Sequence, residues 1–111
     1  MRVQPFVLAL LLSLVVLFTP AAGVPTAPPG TDKVVHLALF ALLAFTGRTA
    51  GIRPWPLLAG LTVYAAASEV LQALLPLGRS GDLLDGLTDV AGAVLGLGLY
   101  AALDRFRARA V

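Results

Sequence analysis

The 111-residue chain is 59% hydrophobic before its 11 glycines are counted, only 13% charged, and has a mean hydropathy of +0.92. Soluble domains run nearer half apolar and a quarter charged, and a water-soluble domain this small could not hide so much apolar surface, so the composition requires a lipid solvent. A net charge of +2, with basic residues scattered singly up to a short C-terminal cluster, excludes a nucleic-acid footprint, and the absence of cysteine excludes disulfide, CxxC and thiolate-metal chemistry.

Apolar runs bounded by turn residues predict four helices, judged against the roughly 20 residues that cross ~30 Å of hydrocarbon. The first spans residues 5–22. A Pro-rich segment with Pro25, Pro28 and Pro29 then reads as an extended loop. The second helix follows Asp32 and Lys33 and covers residues 34–48, short for a span unless Thr46 and a snorkelling Arg48 extend it. Pro54 suits the first turn of the third, residues 54–75, which Pro76 stops, and the fourth covers residues 83–103. The expected fold is all-α, a single polytopic transmembrane bundle without internal repeats. Arg2, the apolar stretch after it and small residues at Ala21, Ala22 and Gly23 also fit a cleavable signal peptide, which would leave three helices.

Cytoplasmic loops of membrane proteins carry the excess of Lys and Arg. Arg2, Arg48, Arg53, Arg105, Arg107 and Arg109 fall on one side of the predicted bundle, against Lys33 and Arg79 on the other, so both termini are expected in the cytoplasm. Asp32, Lys33, His36, Glu69, Gln72, Arg79, Ser80, Asp82, Asp85 and Asp89 then all lie toward the outer face. At 1.5 Å per residue, Glu69 and Asp89 each sit ~9 Å from the outer ends of their helices. An ionised carboxylate at mid-span costs roughly 2.5–3.5 kcal/mol, so these acids should face partners or water rather than lipid.

At 100° per residue, Asp82, Asp85, Asp89, Gly92 and Gly96 occupy one face of the fourth helix, acidic outside and glycine-lined within. Gly92 and Gly96 form a GxxxG pair that admits another helix closely, so the acids should point into the bundle. Lys33, His36 and Phe40 share a face of the second helix, and Glu69 and Gln72 are neighbours on the third. Structural roles are open to several of these residues. Asp32 suits an N-cap of the second helix, and Ser80 or Asp82 one of the fourth. His36 and Gln72 suit interhelical hydrogen bonds, and Glu69 and Asp89 suit ion pairs with Arg79, Lys33 or protonated His36.

Three stretches, DKVVHLALF from Asp32, SEVLQ from Ser68 and GRSGDLLDGLTDVAGAVLG from Gly78, resemble the VanZ-like membrane protein family. They lie in the family's order over residues 31–98, whereas the first span matches only as a generic hydrophobic helix. By that resemblance Asp32, Lys33, His36, Glu69, Gln72, Arg79, Asp82 and Asp85 occupy characteristic polar positions, and Gly92 and Gly96 characteristic small ones. Asp89 departs from the pattern, since the family commonly carries Asn there. The resemblance implies a bacterial cytoplasmic-membrane protein with an envelope role, the founding member being associated with teicoplanin resistance, but it supplies no reaction.

The residues suggest an outward polar pocket. Lys33 and Arg79 would bind an anionic headgroup such as that of a lipid-linked glycan, lined by Asp32, Gln72, Asp82 and Asp89, while Glu69, Asp85 and His36 supply proton transfer or hydrogen bonds. No nucleophile–base pair, HExxH or phosphate loop is present, and neither a cofactor nor a metal is required, although an oxygen-rich set with one histidine would suit a hard cation more than zinc. A second reading is a small assembly subunit whose polar residues lock helices together while the GxxxG face meets another copy or an envelope protein. An ion pathway is disfavoured, because between Pro54 and Ser68 the third helix carries only Thr62 and Tyr64 as weakly polar groups.

Overall fold

A computed structural model describes residues 2–18, 30–75 and 83–110. The described residues form four α-helices and no strand: α1 (Gln4–Phe18), α2 (Thr31–Thr49), α3 (Pro54–Leu74) and α4 (Leu83–Ala110). Of these, α3 and α4 are long and apolar enough to cross a membrane, whereas α2 carries Asp32, Lys33 and Arg48 at its ends.

The helix ends follow from local backbone chemistry. Gly30 caps α2 in the left-handed region at φ 88°, where glycine pays no Cβ penalty, and its carbonyl accepts the Val34 amide at 3.2 Å. The helix therefore starts at Thr31, and Asp32 lies inside the first turn rather than at the N-cap expected for it. Pro54 opens α3, where its missing N–H costs nothing, behind an extended Arg53. The helix stops as Leu75 turns extended with ψ 150°, the conformation a following proline imposes. The expected N-caps of α4, Ser80 and Asp82, lie outside the described residues. At its other end α4 runs past the expected stop near Leu103 to Ala110, 28 residues or about 42 Å. Arg107 and Arg109 in the last turn complement the negative end of the helix dipole.

The most extensive helix interface joins α2 to α4, which run parallel. A Cβ added at Gly92 would strike the Leu37 carbonyl, and one at Gly96 the Ala41 carbonyl, so the two backbones touch at both positions. Phe40, Leu43, Ala44 and Ala93 are fully buried in this core. The glycine face is thus occupied by α2 of the same chain, which corrects the reading that offers it to a second copy or an envelope protein. Packed outside the pair, α3 and α1 join each other through hydrogen bonds between Ser13 and Tyr64 at 2.7 Å and from Gln72 Nε2 to the Leu17 carbonyl at 2.6 Å.

Polarity is inverted relative to a soluble domain. His36, Ser68, Gln72, Asp85 and Asp89 are buried, while Leu8, Val15, Val63, Leu74 and Leu95 are exposed. Lipid is the solvent that makes such an exterior favourable, and this is the surface of a membrane protein. Lys33 apart, the described basic residues gather at one end, where the Arg2 amide bonds the Thr49 carbonyl and the Arg48 guanidinium lies 4.7 Å over the Tyr100 ring.

Because Gly92 and Gly96 meet backbone rather than flexible side chains, Gly92→Leu and Gly96→Leu are expected to cost at least about 1–3 kcal/mol. A Cβ added at Gly98 would have nothing within 4 Å, and Gly98→Leu should stay within about 0.5 kcal/mol. Reversible unfolding in mixed micelles checks the difference, and equal effects at the three positions would contradict the packing.

Candidate functional site

Two polar pairs sit directly beyond the glycine contact. Because α2 and α4 run parallel, Lys33 and His36 on one face meet Asp85 and Asp89 on the other in matching order. Lys33 Nζ donates to Asp85 Oδ1 at 2.9 Å, and His36 Nδ1 lies 2.7 Å from Asp89 Oδ1. Exposure falls steeply with depth. The Lys33 and Asp85 side chains are 42% and 11% exposed, those of His36 and Asp89 only 3% and 0%. A pair open to its surroundings therefore stands over one sealed in the bundle.

The third wall comes from α3. Glu69 leans across Gly86 of α4, where a Cβ would lie 3.6 Å from the Glu69 Cγ. Three potential ligand atoms, one each from His36, Glu69 and Asp89, lie within 4.8 Å of one another. Among the described residues this is the group whose donors could hold a metal ion. Asp89 uses Oδ1 for His36, while its Oδ2 is buried with no hydrogen-bond partner. Nature places an acidic group in such surroundings only with a compensating partner or a function, because desolvation otherwise disfavours the charge.

Of the expected site residues, Lys33, His36, Glu69, Asp85 and Asp89 converge from three helices. Gln72 does not join them. It is buried, but its amide turns to α1 and donates to the Leu17 carbonyl in the last described turn of that helix. Gly92 and Gly96 pack rather than bind. The Asp32 side chain, Arg79 and Asp82 lie outside the described residues.

Two features escape the sequence reading. Gly86 lies directly beside Glu69, where an added Cβ would be in ordinary contact with the Glu69 Cγ, and no periodicity singles it out from the other glycines of α4. The Ser13–Tyr64 contact joins α1 to α3 below the cluster, with Tyr64 also 5.7 Å from the Phe40 ring. Its one visible signal was a lone serine within an otherwise apolar run. Beside Tyr64, Leu10, Leu57 and Leu61 help line an apolar groove of about 250 Å³. Its walls offer little besides the Tyr64 hydroxyl for polar chemistry, so the candidate site is the α2–α3–α4 cluster.

No curated protein and no solved structure matches the chain. The VanZ/LLP1 family matches residues 12–104, from the second half of α1 through the apolar part of α4. The match encloses every residue of the polar cluster and the glycine pair beneath it, and the chain belongs to the VanZ/LLP1 family.

Proposed function

We propose that the chain is a multi-pass protein of the bacterial cytoplasmic membrane whose polar cluster opens outward and binds the anionic headgroup of a membrane lipid, a lipid-linked envelope glycan or its pyrophosphate being the chemistry it suits. The observation that carries this reading is the Lys33–Asp85 pair, a partly exposed cation held at 2.9 Å over a sealed polar floor. Only the Lys33 side of this pair is substantially exposed, 42% against 11% for Asp85, so a phosphate can reach the ammonium and compete with Asp85 for it. Arg79 would add a second cation, with Asp32 and Asp82 on the rim. Glu69, Asp85 and His36 are the groups able to exchange protons or hydrogen bonds with the bound headgroup. A role in glycopeptide resistance or envelope glycan metabolism fits such a ligand.

A specific observation also favours a structural reading. The His36–Asp89 and Gln72–Leu17 bonds each join two helices, as polar locks in an assembly subunit would. The two readings separate in one experiment, an envelope-resistance assay with folded protein measured in parallel. Glu69→Gln, Asp85→Asn and Arg79→Gln are expected to lose function at undiminished folded level. Parallel loss of folded protein would favour the locks.

Headgroup binding has its own readout. A charge-assisted hydrogen bond contributes about 1.5–3 kcal/mol, so Lys33→Gln should weaken binding to vesicles containing a polyprenyl pyrophosphate by roughly 10–100-fold. Affinity that Lys33→Gln leaves unchanged would remove the lysine from the site.

Sidedness rests on the basic end formed around Arg2, Arg48 and the last turn of α4. Since the chain has no cysteine, single substitutions report cleanly. Thr31→Cys is expected to react with a membrane-impermeant maleimide on intact cells and Arg109→Cys only after permeabilisation. The reverse pattern would invert the topology.

A further inference from the structure

We propose that His36, Glu69 and Asp89 form a binding site for one divalent transition-metal cation between α2, α3 and α4. The three side chains come from three helices and already bring potential ligand atoms within 4.8 Å of one another. Bonds of about 2.0–2.2 Å to a shared ion require donors some 3–4 Å apart, a closure that small side-chain rotations supply. Glu69 is not crowded on the α4 side, since even a Cβ added at Gly86 would meet its Cγ only at ordinary contact distance.

An independent observation concerns Asp89. The residue is fully buried, His36 occupies Oδ1, and Oδ2 has no hydrogen-bond partner. A buried acceptor left unsatisfied costs about 1–3 kcal/mol, more when charged, and a metal bond is one way to satisfy it. The Lys33 ammonium, bonded to Asp85, makes no hydrogen bond to that oxygen. A dication balances the two carboxylates of Glu69 and Asp89 while His36 binds as the neutral imidazole, so the assembled site carries no net charge into the bundle.

The donor set selects the class of ion. One imidazole nitrogen with two carboxylates, and no thiolate in the chain, suits Mn²⁺ or Zn²⁺. Calcium needs six to eight oxygen ligands, which three side chains do not provide. Three protein ligands leave a coordination position open, as in metal sites that take an exogenous ligand. In the loaded protein His36 and Glu69 serve as ligands, and Asp85 remains the acid above them. The ion's presence does not depend on the headgroup proposal, and either can fail alone.

The test uses full-length protein in neutral maltoside micelles, which contain no phosphate, titrated with Mn²⁺ and followed by electron paramagnetic resonance. Expected are one bound ion per chain, displacement by Zn²⁺ and spin-echo modulation from the imidazole nitrogen. Asp89→Asn, Glu69→Gln and His36→Gln should each weaken binding by about tenfold or more, whereas Asp104→Asn, at the far end of α4, should not. Asp89→Asn nearly preserves side-chain shape, and its melting curve shows whether the variant is folded. With the nitrogen signature, it keeps the test decisive if His36→Gln fails to fold. Absence of stoichiometric binding to folded wild type, binding that survives Asp89→Asn in folded protein, or a bound ion without the nitrogen signature would overturn the site.

Discussion

The backbone contact of α2 with α4 at Gly92 and Gly96 is the constraint on which the remaining structure depends. In lipid there is no hydrophobic force to press helices together, so close approach has to come from small residues and from polar bonds. The chain uses both along one seam. With carbonyls of Leu37 and Ala41 against the two glycines, α2 and α4 are fixed in register, and Lys33 and His36 then have only one place to meet Asp85 and Asp89. A side chain at either glycine would separate the helices and lengthen both bonds above it. Packing and site are therefore one interaction viewed at two depths.

Much of this was legible in the sequence because helical periodicity is a strong signal in a chain with few polar residues. The 3.6-residue repeat placed Asp85, Asp89, Gly92 and Gly96 on one face and Lys33, His36 and Phe40 on another, and the structure brings those faces together. Other features depend on tertiary contacts that periodicity does not encode. Gln72 sits one turn from Glu69 and reads as part of the same cluster, yet the Leu17 carbonyl of α1 claims its amide. The GxxxG pair announces a close helix without saying which, and the partner turned out to be internal. Asp32 looks like a cap until the backbone shows that Gly30, able to take φ 88°, fills that position.

Depth divides the labour within the cluster. Lys33 keeps 42% of its side chain exposed, which leaves it able to change partners, whereas Asp89 at 0% is bound to whatever the bundle offers. Two stacked pairs of such different exposure, with Glu69 approaching from a third helix, set a partly exposed cation over a fixed, buried floor. Burying Asp89 is costly, and the imidazole of His36 offsets that cost through only one carboxylate oxygen.

Polarity ends abruptly beneath that floor, and this argues for a one-sided site over a conduit. Phe40, one turn beyond His36, is fully buried and lies against the Tyr64 ring. The hydroxyls farther along are committed locally: Thr46 donates to the Leu42 carbonyl, Thr62 to that of Leu58, and Ser13 and Tyr64 bond each other. Hydroxyls tied to the preceding turn of their own helix satisfy themselves and offer little to a passing ion. A proton arriving at Asp89 thus meets an aromatic wall and then the apolar core around Leu43 and Ala44, with no acid or base among the described residues until the basic end at Arg48. Transport across the membrane needs stepping stones on both sides of the midplane. Among the described residues, this bundle places its buried acids and their partners on one side only.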